Sequence, residues 1–176
     1  MTAKISTSTE DSIALIMFDL VNFMIKYGET LVLNEELTAQ QWLVLSQIAG
    51  DPNFPQPGGS KNKNTRGILA SEIATSRGVS RANISAMIAS LLRKQLVRQV
   101  EDPKDRRRKF LKLTAKGEKL MARIEPKRRS NNAELFEGFS TDELQVLHGN
   151  LQRCLEKFWQ LNANRGNGEG YNLEIA

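Results

Sequence analysis

Five of the six positions from Lys104 to Lys109 are cationic: Lys104, Arg106, Arg107, Arg108 and Lys109, with Asp105 between them. Asp102 and Asp105 cannot satisfy all five, so most of the charge must face solvent or an anion. Phosphate suits such a cluster, because each phosphate neutralised releases counterions and makes binding salt-dependent. From Arg77 to Arg129 the same bias widens to 17 basic and 5 acidic residues, a local net of +12. The rest of the chain carries −7, so the whole-chain value of +5 over 176 residues hides an electrically polarised protein. That polarity points to a polyanionic partner.

Other chemistries are poorly supplied. One Cys and one His exclude an internal disulfide and a self-contained Cys/His metal cluster. No metal or cofactor is expected. His148 and Cys154 lie on one helical stretch without a phosphate-cradling glycine loop or a carboxylate dyad, so an enzyme is the weakest reading. Apolar residues at 40% and charged residues at 26% exclude a wholly disordered polymer and a polytopic membrane protein. The longest apolar stretch, Ile13 to Ile25, is interrupted by Asp19 and Asn22 and is too short for a membrane span. The opening MTAKISTSTEDS lacks a secretory signal pattern, and a cytoplasmic location without membrane attachment is expected.

The basic residues need a scaffold, and punctuation in the sequence supplies one. Ser80 follows Gly78 and caps a helix with Ile84, Met87, Ile88, Leu91 and Leu92 on one face. The opposite face is small and polar: Ala82, Asn83, Ala86, Ala89, Ser90 and Arg93. Upstream, Thr38 and Gln41 open a helix carrying Trp42, Leu45 and Ile48, which Gly50 and Pro52 end. Gly50 to Thr65 is a loop rich in Pro and Gly, long enough to be functional or disordered, and disorder is favoured. A short helix with Ile68, Leu69, Ile73 and Ala74 then leads to Gly78. Strands follow at Leu96 to Glu101 and about Arg107 to Leu113, joined by a turn at Asp102 to Asp105. A helix from Thr114 towards Gly138 contains Pro126, which predicts a kink near Ile124.

Helix, glycine turn, capped helix and arginine-rich hairpin together form a helix-turn-helix with a wing. A recognition helix whose outer face is small can lie close in a DNA major groove, where Asn can pair with adenine. The two ends of the chain carry matching apolar seams. Met17, Leu20, Met24, Tyr27 and Leu31 are spaced by 3 and 4, as are Leu144, Leu147, Leu151, Cys154 and Phe158, the latter behind a Ser140–Glu143 capping box. Ile13, Leu15, Phe18, Val21, Phe23 and Ile25 make the first helix apolar on its other sides too, as burial against a second chain would require. The competing reading makes both ends ordinary core helices of a monomer.

Leu37-Thr-Ala-Gln-Gln-Trp-Leu-Val-Leu45, Gly78-Val-Ser-Arg-Ala-Asn-Ile-Ser85, Leu96-Val-Arg98, Asp102-Pro-Lys-Asp-Arg-Arg107 and Leu113-Thr-Ala-Lys-Gly117 follow one another at characteristic spacing. In this order they resemble the MarR family of bacterial winged-helix transcriptional regulators, over roughly residues 12–162. The fold so implied is mainly α with a small β-hairpin wing. Residues 1–11 would be a flexible N-terminal segment, 12–36 and 126–162 a helical dimerisation region, 37–125 the winged helix-turn-helix domain, and 163–176 a tail. The resemblance implies a homodimer on a palindromic operator in double-stranded DNA, and a small effector or oxidant that changes DNA affinity.

By the same resemblance Ser80, Arg81, Ala82, Asn83, Ser85 and Ala86 face DNA. Arg107 enters the minor groove, Asp105 orients it, and Lys104 and Arg106 flank the backbone. An effector pocket would be framed by Phe18, Asn22, Phe23, Trp42 and Met121, whose aromatic walls suit an aromatic acid or its thioester. Trp42 has the alternative role of a core residue, and Lys116, Lys119 and Arg123 read as a solvated face. Three positions depart from the family pattern: Ala86 replaces a common arginine, Gln95 replaces a glycine where a left-handed residue is expected, and the 50–65 loop is long. A ligand-responsive repressor is the leading reading. An effector-independent winged-helix module and a thiol-based regulator using Cys154 are the alternatives, although the seam position of Cys154 suits packing better.

Overall fold

Side-chain caps decide where most helices begin. The computed structural model describes residues 8–54 and 67–165. Along these the elements are α1 (Thr9–Val32), α2 (Ala39–Ala49), α3 (Ala70–Arg77), α4 (Arg81–Arg93), β1 (Val97–Glu101), β2 (Lys109–Leu113), α5 (Ala115–Leu135) and α6 (Thr141–Arg165). The chain divides into two units, one ending at Trp42 and the other beginning at Leu43.

In the first unit, the Ser8 hydroxyl accepts the Asp11 amide at 3.0 Å, and Glu10 and Asp11 place negative charge in the first turn. Hence α1 starts ahead of the apolar pattern at Ile13. Only its last turns are buried, at Gly28, Leu31 and Val32. Gly28 is needed there, because a Cβ would sit 2.7 Å from the Cβ of Ala39. The capping box at the start of α2 is reciprocal: the Thr38 amide donates to Gln41 Oε1 at 3.3 Å, and the Gln41 amide to Thr38 Oγ1 at 3.2 Å. Upstream along α1, Leu15, Phe18, Val21 and Phe23 are all more than half exposed.

The second unit has its own core. Val44, Leu45 and Ile48 of α2 are buried, as are Ile73 of α3, Ile84, Ile88 and Leu91 of α4, Val97 and Leu111 of the strands, and Leu120 and Ile124 of α5. The hairpin is antiparallel, with Val97 opposite Leu113 and Glu101 opposite Lys109. Ile68 bridges to Leu111 along the other edge of β2. Expected as far back as Arg107, β2 instead begins at Lys109. The reason is a tight turn: the Arg108 amide donates to the Asp105 carbonyl at 2.9 Å and the Asp102 amide to the Arg108 carbonyl at 3.0 Å.

Thr114 caps α5, accepting the Gly117 amide at 3.1 Å, and the helix continues through Pro126 to Leu135. Around that proline, Arg128 reaches Glu125 at 2.8 Å and Asp51 at 3.4 Å, while Arg129 reaches Glu125 at 2.7 Å. These arginines, Arg128 first, hold the Glu125 carboxyl down at about 2. Ser140 and Glu143 form the expected capping box of α6, with the Ser140 amide donating to Glu143 at 2.8 Å. The α6 seam is a surface in this chain: Leu147, Leu151, Cys154 and Phe158 are exposed. They therefore do not supply the core of a monomer. Both α1, from Thr9, and α6, to Arg165, extend into the stretches expected to be terminal segments. Asp51 to Phe54 turn after α2, with the Phe54 amide on the Asp51 carbonyl at 3.0 Å. The remainder of the expected disordered loop, 55–65, lies outside the described residues.

Candidate nucleic-acid interface

The turn between α3 and α4 is closed by Gly78 at φ 62°, a left-handed conformation that a Cβ disfavours. Two residues later Ser80 is extended, and its hydroxyl accepts the Asn83 amide at 3.2 Å. The cap fixes which face of α4 turns inward. Ile84, Ile88 and Leu91 are buried, whereas Arg81, Ala82, Asn83, Ser85 and Ala86 are exposed, with Ser80 half-buried at the cap. The exposed face adds Ala89 and Arg93. This face offers little steric bulk, several hydrogen-bonding groups and the positive end of a helix dipole.

The C-terminal end of α4 is a Schellman motif without glycine. The Leu96 amide donates to the Leu91 carbonyl at 3.0 Å and the Gln95 amide to the Leu92 carbonyl at 2.9 Å, with Gln95 at φ 59°. Its last carbonyls are taken by α5. Lys116 Nζ donates to the Lys94 carbonyl at 2.9 Å, and Thr114 Oγ1 to the Gln95 carbonyl at 2.6 Å. Lys116 is thus a cap of the recognition helix, a role not visible from its place on a solvated face. Gly117 allows the approach, since a Cβ there would sit 2.2 Å from the Leu96 carbonyl oxygen.

In the wing, Asp105 organises the tip. One carboxylate oxygen accepts both the amide and the Nε of Arg107 at 3.1 Å. The Arg107 guanidinium, led by its side-chain hydrogen bond, holds the Asp105 carboxyl below its ordinary range, so the pair stays charged. The Arg107 side chain is nevertheless 92% exposed. Its guanidinium faces Asp105 through both Nε, at 3.1 Å, and a terminal nitrogen, at 3.5 Å, so the exposed side chain is held in one orientation. Arg108 behaves differently: it lies 3.8 Å from Asp102 and over the Phe110 ring at 5.6 Å. Lys104, Arg106 and Lys109 are exposed.

The expected effector-site residues have varied surroundings. Phe18 and Phe23 are 71% and 66% exposed on α1. Asn22 is exposed beside them, Met121 is half-buried on α5, and Trp42 is buried on α2. Among the described residues, no helix is long and apolar enough to cross a membrane.

A glycine turn, a capped helix with a bare outer face and an arginine-tipped hairpin define a winged helix-turn-helix, the architecture of a DNA-binding regulator. The comparisons assign it further. A model of the MarR family matches residues 36–108. The transcriptional regulator HosA of Escherichia coli O111:H- is 32% identical over 111 residues, 63% of this chain and 72% of HosA. The chain belongs to the MarR family and is a transcriptional regulator. Among solved structures, a MarR-family regulator from Listeria monocytogenes complexed with 26mer DNA matches with a TM-score of 0.71 and 19% identity, covering 94% of this chain and all of that one. CouR from Rhodococcus jostii RHA1, bound to p-coumaroyl-CoA, matches with a TM-score of 0.68 and 19% identity, covering 85% of this chain and 96% of that one. These two share the fold.

Proposed function

We propose that this regulator binds a palindromic operator as a homodimer, acts as a repressor, and is released by a small aromatic acid or its thioester. The observation that carries the reading is the exposed Arg107 side chain anchored on Asp105. In this role Arg107 enters the minor groove, where narrow width concentrates negative potential. Lys104 and Arg106 contact the flanking backbone. Ser80, Arg81, Ala82, Asn83, Ser85 and Ala86 meet the major groove, and Ala86 shifts readout from a guanine contact towards thymine methyl groups and groove shape. Pairing is supported by the exposed apolar residues of α1 and α6, among them Phe18, Val21, Leu151 and Phe158, which a soluble monomer would not leave to water.

An effector site drawing on Phe18, Asn22, Phe23, Trp42 and Met121 is consistent with the thioester carried by CouR, a protein of the same fold. The test is a gel-shift titration of the operator with aromatic carboxylates and their coenzyme A thioesters. Release by one of them, lost on Phe23→Ala, supports the reading; operator binding indifferent to all of them removes the effector. A second reading, release by oxidation, is favoured by the exposure of Cys154. If it holds, peroxide frees the operator from the wild type and not from Cys154→Ser.

A further inference from the structure

We infer that Trp159 of α6 is a positioning residue for the recognition helix, acting through the carbonyl of Ser76. A helix leaves its last four carbonyls without intrahelical partners. In α3 the Ala74 and Thr75 carbonyls accept the Val79 and Gly78 amides of the left-handed turn, at 3.2 and 3.3 Å. The next, that of Ser76, accepts the indole Nε1–H of Trp159 at 3.1 Å, from a residue 83 positions away in the chain. The turn that aims α4 is therefore closed in part by α6.

Ser76 is held from its side chain as well. Its hydroxyl donates to the Ile73 carbonyl at 3.1 Å and accepts from the side-chain amide of Gln47, which is only 3% exposed on α2. Gln47, Ser76 and Trp159 thus tie α2, the end of α3 and α6 to one point. That point is two residues from Gly78 and four from the Ser80 cap. Indole has a single donor and no acceptor, so the bond runs one way and specifies one geometry. Phe158, the neighbour of Trp159, belongs to the exposed apolar seam of α6. If that seam pairs two chains, the Trp159–Ser76 bond connects the paired helix to the part that reads DNA. This inference rests on the proposed operator binding for its consequence, though not for the bond itself.

The test compares full-length wild type with Trp159→Phe, which keeps an aromatic ring and deletes the donor. Three quantities are read: operator affinity, affinity for random duplex in dilute buffer, and amide exchange along the chain. The expected result is about five- to tenfold weaker operator binding, the size of one unmade hydrogen bond, with random-duplex binding unchanged. Amides from Ser76 to Asn83 should exchange faster and those of β1 and β2 should not. Faster exchange with unchanged operator affinity overturns the positioning role, as does weaker operator binding with unchanged exchange. Should no operator bind the wild type, the functional reading fails while the exchange comparison still judges the bond. If Trp159→Phe does not fold, the wild-type indole proton serves instead: slow exchange of that Trp159 proton with water supports the bond, and fast exchange overturns it.

Discussion

Arg107 and Asp105 form a prepaid contact. If Arg107 enters a groove as proposed, its guanidinium arrives already oriented, so little conformational entropy is lost on binding. Replacing Arg107 with Ala should cost about 1–3 kcal/mol of operator affinity, roughly five- to 150-fold, and shallow the salt dependence by about one counterion. Because Arg107 is 92% exposed, thermal stability should not change, which melting curves would check. Asp105→Asn should weaken binding less, since the amide keeps one oxygen for the Arg107 backbone and loses the charge. At this scale the sequence was informative where chemistry is local. The surplus of cations over Asp102 and Asp105 was countable, and the Asp105–Arg107 pair spans two residues. The difference between Arg107 and Arg108 was not, because it depends on the ring of Phe110 emerging beneath one of them. Lys116 is exposed, as a solvated face requires, but its bond to the Lys94 carbonyl, 22 residues earlier, was not legible because it depends on how the chain folds back.

Each element carries a stress that can be measured. Gln95 holds φ 59° at the end of α4, a conformation glycine adopts freely. Gln95→Gly should therefore stabilise the protein by about 1 kcal/mol, seen as a raised denaturation midpoint. Gly117→Ala should do the reverse, losing about 1–3 kcal/mol as the new methyl meets the Leu96 carbonyl. Near Pro126, Glu125 has its carboxyl lowered from 4.5 to about 2 by Arg128 and Arg129. A depressed folded-state value stabilises above 4.5 and loses that contribution as pH falls towards 2. Acid unfolding of Glu125→Gln should accordingly show a flatter pH dependence across that interval than the wild type. The left-handed site at Gln95, the caps at Thr38, Ser80 and Ser140, and the start of a helix at Thr114 were legible, because each obeys a rule spanning a few residues. The start of α1 after Ser8 was obscured by a polar first turn, and Arg107 and Arg108 read as strand although backbone hydrogen bonds fold them into the turn.

For the whole molecule, the proposed pairing rests on the exposed apolar residues of α1 and α6. Leu151 is 45% exposed on α6 amid other uncovered apolar residues, so Leu151→Glu should convert a homodimer into monomers by sedimentation analysis. Its operator affinity should collapse with it, because two recognition helices spaced about 34 Å apart are needed to read half-sites one turn of duplex from each other. The central claim is that this paired, arginine-winged protein recognises a twofold-symmetric duplex. The most direct measurement is selection from a random double-stranded DNA pool in dilute buffer, followed by sequencing of what the full-length protein retains. An inverted repeat with half-sites about ten base pairs apart is the result expected. Retention of no duplex at all, or of sequences without twofold symmetry, would contradict it.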